Sequence, residues 1–146
     1  AGTLPDAAHH TASKDGVLAS VPVGNQVLPF FLACIDSGTA FRVYRATAAG
    51  TGWTQLSTLP VPASLGTDNG QVFLRGDPDT GILVAGLRTN GAFKGSFLWL
   101  SRDGGLTWSA PVSTHALANG VTVANGRVFT GTADGLSMSC FEAALL

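Results

Sequence analysis

A five-residue pattern that returns after 56 residues constrains this chain more than any other feature. Asn69-Gly70-Gln71-Val72-Phe73 reappears as Asn125-Gly126-Arg127-Val128-Phe129. A second correspondence sets Phe41 to Trp53 against Phe97 to Trp108, shifted by 55 at the tryptophan. Ala33-Cys34, Ala85-Gly86 and Ser139-Cys140 then take matching places in three successive units. Self-similarity at a fixed spacing marks a supersecondary unit that cannot bury its apolar surface alone and stacks on its neighbours. The units cover about residues 15–57, 63–113 and 117–146, preceded by an N-terminal arm over 1–14.

Each unit is built of strands. Apolar residues follow period two in Gln71-Val72-Phe73-Leu74-Arg75, Ile82-Leu83-Val84-Ala85-Gly86-Leu87 and Phe97-Leu98-Trp99-Leu100-Ser101. No helix is expected. The best candidate, 39–49, is interrupted by β-branched and aromatic residues. In the clearest unit the pattern predicts strands at about 71–75, 82–89, 96–101 and 106–112. Turn chemistry separates them at Asp77-Pro78-Asp79-Thr80-Gly81, Asn90-Gly91 and Asp103-Gly104-Gly105. Four antiparallel strands, nearly continuous in apolar residues because both faces pack on neighbours, describe a propeller blade. The third unit shows two strand signals, which brings the total to about two and a half blades of an all-β fold. A closed ring takes about four to eight. The ring is therefore expected to be completed by other chains or by missing polypeptide, and the 1–14 arm is a candidate edge strand for another blade.

Charge excludes one class of partner. Eight Lys and Arg against nine Asp and Glu give a formal net charge of -1, and the cations are scattered singly, so no surface matches the phosphates of a nucleic acid. Charged residues make up 12% of the chain, about half the share usual in soluble domains. Apolar stretches last only a few residues, far short of the roughly 20 that span a bilayer, so no membrane insertion is expected. The first residues lack a basic start followed by an apolar run, so no signal peptide is expected to remain.

Ser101-Arg102-Asp103-Gly104-Gly105-Leu106-Thr107-Trp108 fits Ser-x-Asp-x-Gly-x-Thr-Trp at every specified position. Asp103 can accept hydrogen bonds from the amides of its own turn, the two glycines can take backbone angles that other residues avoid, and Trp108 offers a large packing surface. This octapeptide resembles the Asp-box, the bacterial neuraminidase repeat of sialidase-type β-propellers. The resemblance implies a blade hairpin between third and fourth strands, on the face away from the ligand, with Ser101, Asp103, Gly105, Thr107 and Trp108 in structural roles. The preceding unit keeps Trp53 but has Arg45 in place of the Ser and Thr47 in place of the Asp.

The family's hydrolases use an arginine trio, a Tyr nucleophile partnered by a Glu, and an Asp acid/base. This chain has one Tyr, Tyr44, and its one Glu is Glu142. Phe41-Arg42-Val43-Tyr44 is similar to the family's Phe-Arg-Ile-Pro element but lacks the proline. No catalytic residue is assigned on this basis. His9, His10 and His115 lack metal-ligand spacing with Cys34 or Cys140. Asp77, Asp79 and Asp134 are weighed as calcium ligands against an ordinary turn role, and the turn role is preferred. No cofactor or metal is expected. Cys34 and Cys140, placed on equivalent strands of different blades, are read as buried free thiols, and Trp53, Trp99 and Trp108 as core.

Ligands of propellers usually meet the face opposite such turns. There the second unit presents its longest strand-two-to-three loop, 88–95. Arg88, Asn90, Phe93 and Lys94 offer a ring to stack on a sugar and polar groups for its hydroxyls or carboxylate. The reading is a non-enzymatic carbohydrate-binding or adhesion module, whose partners are a glycan and either other copies of itself or a complementary propeller chain. Low charge and exposed turns suit an extracellular or particle-surface setting. A sialidase-like hydrolase fragment with catalytic groups on another segment is the alternative. A further alternative is a structural subunit of an extracellular or viral appendage.

Overall fold

The computed structural model describes residues 17–23, 26–35, 40–47, 52–60, 71–88, 96–114, 118–132 and 138–142. Among them the chain is all-β, without helix, in three small antiparallel sheets. The first joins β1 (Val17–Val23), β2 (Gln26–Ile35), β3 (Ala40–Ala46) and β4 (Trp53–Pro60). The second joins β5 (Gln71–Gly76), β6 (Leu83–Arg88), β7 (Ser96–Ser101) and β8 (Val112–Thr114). The third joins β9 (Ala118–Ala124), β10 (Arg127–Thr132) and β11 (Met138–Glu142). Within each sheet, spatial order follows chain order.

The apolar runs explain the packing. In β6, Leu83, Val84, Ala85 and Leu87 are all buried, as are Leu98, Trp99 and Leu100 of β7. Side chains alternate across a strand, so burial of both parities means that both faces of the second sheet are covered. One face carries Phe73, Val84, Leu98 and Leu100 into a shared core with Val121, Val123 and Val128 of the third sheet. On the other face Trp99, only 1% exposed, shares a groove with Ser57 and Leu59 of β4. Gly86 allows the first core to close. A Cβ there would stand 3.2 Å from Leu98 Cδ2 and 3.5 Å from both Phe73 Cδ2 and Val121 Cγ2.

The sheets stack in a regular way. β5 packs on β1 and β2, and β9 packs in the same manner on β5 and β6. Packing therefore gives β9 the place that β5 holds one sheet earlier. The repeated pentapeptide instead aligns β5 with β10. The explanation is local. Asn125 and Gly126 have φ of 50° and 71° and form the two-residue β9–β10 turn, the left-handed pair that Asn-Gly favours in hairpins. In this copy the pattern marks a turn and the strand after it; in the other, Asn69 and Gly70 lie outside the described residues and β5 follows them. The third sheet thus contains three strands where two strand signals were expected.

Three further expectations are corrected. The strand expected at 106–112 is reduced to β8 at Val112–Thr114, because residues 102–107 turn around the Asp103 carboxylate. Beyond the turn, the Ser109 amide still donates to the Leu100 carbonyl at 2.8 Å. The return bond, however, runs from the Leu100 amide to the Ser109 hydroxyl at 3.0 Å in place of a backbone carbonyl. Cys140 is exposed and free, not buried, because β11 is the outer strand of its sheet. It also lies on the third strand of its sheet, whereas Cys34 lies on the second of its own. The Cys34 side chain is outside the described residues. Trp99 is core as expected, but Trp53 and Trp108 are half-buried and Trp108 belongs to no strand.

Candidate functional site

The turn from Ser101 to Trp108 is densely bonded to itself and to the first sheet. β7 delivers Ser101 buried at its end, and the chain then reverses through Gly104 and Gly105, whose φ of 70° and 85° suit glycine. Asp103 Oδ1 accepts from the Ser101 hydroxyl at 2.8 Å, the Leu106 amide at 3.1 Å and the Thr107 amide at 2.9 Å. The Thr107 hydroxyl donates to its other oxygen, and the Ser101 hydroxyl accepts from the Gly105 amide at 2.8 Å. Burial pushes the Asp103 carboxyl upward, but hydrogen bonds from Thr107, Ser101 and Leu106 outweigh it and hold the group below its ordinary value of 3.8. An exposed carboxylate already surrounded by donors is an organiser of backbone.

The turn also grips the first sheet. Ser57 of β4 donates its hydroxyl hydrogen to the Gly105 carbonyl at 2.7 Å and accepts from Trp108 Nε1 at 3.0 Å. Trp108 Nε1 shares its hydrogen with the Gly105 carbonyl at 3.3 Å. Ser57 was not singled out from the sequence, since a serine in a strand of Thr, Gln and Ser carries no signal of its own. A shift in the β3–β4 register between Val43 and Tyr44 pairs Ser57 with Val43 and Gln55 with Tyr44, leaving one extra residue on β4 beside this contact. In the corresponding turn of the first sheet, the Thr47 amide bonds the Gly52 carbonyl at 2.9 Å. The buried Thr47 hydroxyl has no partner among the described residues.

A second clamp ties the second sheet to the third. Asp77 follows β5 and is fully buried. Its Oδ1 accepts from the Asp79 amide at 3.0 Å, and its Oδ2 from the Thr80 hydroxyl at 2.6 Å and the Gly126 amide at 3.0 Å. Burial raises the Asp77 carboxyl, and the hydrogen bonds from Gly126, Thr80 and Asp79 bring it below the ordinary 3.8. Every bond presents a hydrogen to the carboxylate, an environment suited to an anion alone. The calcium role weighed for Asp77 therefore has no support in this geometry. Asp134 lies outside the described residues, and among those described no three His, Cys, Asp or Glu side chains gather as a metal site.

Leu83 pairs with Ser101 and Arg88 with Ser96, so the 101–108 turn lies at one end of β7, and Arg88, after which the loop singled out as a ligand site begins, is paired at the other. Arg88 ends β6. Its side chain, and Asn90, Phe93 and Lys94 entirely, lie outside the described residues. His9, His10 and His115 do too. Tyr44, the chain's one tyrosine, is 0% exposed in β3. Arg42 stands half-buried on the same strand, with Ala33 and Thr58 as cross-strand neighbours.

Between β4 and residues 106–111 runs a groove of about 310 Å³ whose lining includes Ser57, Leu59, Trp99, Leu106, Trp108 and Pro111. Leu106, in its lining, is 55% exposed. No family model, curated protein or solved structure matches the chain.

Proposed function

We propose that this chain is a non-enzymatic carbohydrate-binding or adhesion module of an Asp-box β-propeller, closing its ring with other copies or a complementary chain. The observation that carries the blade reading is the Ser101–Trp108 turn. The positions named in the resemblance all serve the turn or its grip on the first sheet: Ser101 and Thr107 both donate to Asp103, Gly105 bends and donates to Ser101, and Trp108 bonds Ser57. Support for stacking comes from the second sheet, covered on both faces, and from the like placement of β5 and β9 on the sheets before them. The glycan is assigned to the 88–94 loop through Arg88, Asn90, Phe93 and Lys94, at the sheet end away from the turn. An extracellular or particle-surface setting is part of the same reading.

Burial of Tyr44 argues against hydrolysis carried by Tyr44 itself, because a nucleophile must reach its substrate; a hydrolase with its catalytic groups on another segment is separated from the binding module by the assay below. The test is a glycan array read with the purified chain, alongside a fluorogenic sialoside assay. Retention of glycans without sialoside cleavage is expected, with retention weakened in Arg88→Ala/Lys94→Ala. Cleavage by the chain alone would overturn the non-enzymatic reading. An array without binding would overturn the carbohydrate role and leave a structural subunit.

A further inference from the structure

We propose that the groove between β4 and residues 106–111 is a second binding site, selective for an uncharged saccharide and distinct from the 88–94 loop. Its lining carries no ionisable side chain. Three of its four hydroxyls spend their hydrogens inside the protein: Ser57 donates to the Gly105 carbonyl, Thr107 to Asp103 and Ser109 to the Ala110 carbonyl, while the fourth, Thr58, accepts from Gln55 Nε2 at 3.3 Å. What these three can still offer a ligand is lone pairs. A carboxylate finds no lining cation to balance it, and a cation no lining anion. A polyol supplies O–H donors without charge. The apolar half of the lining completes the match, since Trp108, Leu106 and Pro111 suit the C–H face of a pyranose.

The exposure of Leu106 fits this reading. It is the one exposed large hydrophobic side chain among the described residues, and it lines the groove. The backbone of its turn is held by hydrogen bonds among Asp103, Ser101, Thr107 and the Leu106 amide. The rim is thereby preorganised, which lowers the ordering cost of a weak ligand.

The test follows the tryptophan indole N–H signals of the ¹⁵N-labelled full chain during titration with lactose, maltotriose and chitotriose. N-acetylneuraminic acid and choline serve as charged controls, and Trp108→Phe assigns the Trp108 signal. The Trp108 signal is expected to shift saturably with at least one neutral saccharide and to stay in place with both controls. Leu106→Ala is expected to weaken that response about tenfold, the change for removing an apolar contact of leucine size, with an unchanged spectrum of the free protein. Silence with all three neutral sugars, an equal response to a charged control, or undiminished affinity in Leu106→Ala would each overturn the proposal. Arg88→Ala/Lys94→Ala separates the two sites. Loss of the sugar response in that variant alone overturns the groove and supports the loop, whereas a response lost only in Leu106→Ala supports the groove.

Discussion

The Asp77 carboxylate accepts the amide hydrogen of Gly126 at 3.0 Å, across 49 positions of sequence and from one sheet to the next. Asp77 is fully buried, yet its charge is matched by hydrogen-bond donors from its own turn and from the β9–β10 turn. Hydrogen bonds to a buried charge are worth more than neutral ones, and leaving their donors unpaired costs further. Asp77→Ala is expected to destabilise the chain by about 3 kcal/mol, measured by urea unfolding. A loss below about 1 kcal/mol would mean that the clamp does not hold the third sheet.

The same group makes stability depend on pH. Its folded value is depressed below the ordinary 3.8, so unfolding takes up a proton in acid. The contribution is fully present above the ordinary value and is lost as pH falls through it toward the depressed one. Asp103 acts in the same direction. The melting temperature is expected to fall below about pH 4 in the wild type and to fall less steeply in Asp77→Asn. Parallel profiles would show that the carboxylate charge is not what stabilises the fold.

Asp103→Ala strips the turn of its acceptor and should cost about 1 to 2 kcal/mol. The loss should appear together with faster amide exchange at Leu106 and Thr107, the two amides that it holds. An unchanged melting curve would remove the turn from the account of stability.

The tryptophans should rank by burial. Trp99→Ala empties a fully buried site and is expected to cost about 3 to 5 kcal/mol, and Trp108→Ala less, since that ring is half-buried. Trp108→Phe loses the bond to Ser57 while keeping a ring, at about 1 kcal/mol. Equal losses at Trp99 and Trp108 in denaturant unfolding would contradict the assigned packing.

Gly86→Val should overpack the core shared with the third sheet, at about 1 to 3 kcal/mol. Leu98, Phe73 and Val121 already stand within van der Waals reach of a Cβ at that position. A neutral Gly86→Val in the same unfolding assay would mean that the two sheets are less closely packed than described.

β5, β6 and β7 were legible because their apolar runs are bounded by turn residues, and each falls within two residues of its expected limits. β8 was not. Its expected span holds two residues whose bonds deviate from a ladder, Thr107 bound to Asp103 and Ser109 bound through its hydroxyl. β9 escaped notice because Ala118-Asn119-Gly120 opens it with turn-like residues. For the site, the octapeptide disclosed which residues would organise a turn. It gave no hint of Ser57, because a contact 51 positions away depends on how two sheets stack. Asp77 looked like an ordinary turn aspartate for the same reason, its distinguishing partner being an amide in another sheet.

The most direct test of the composite-ring account is the native mass of the purified chain in solution. The account predicts a defined oligomer at an integral multiple of the 14.9 kDa chain, or a stoichiometric complex with a complementary chain. A concentration-independent monomer that folds and binds glycan alone would contradict it.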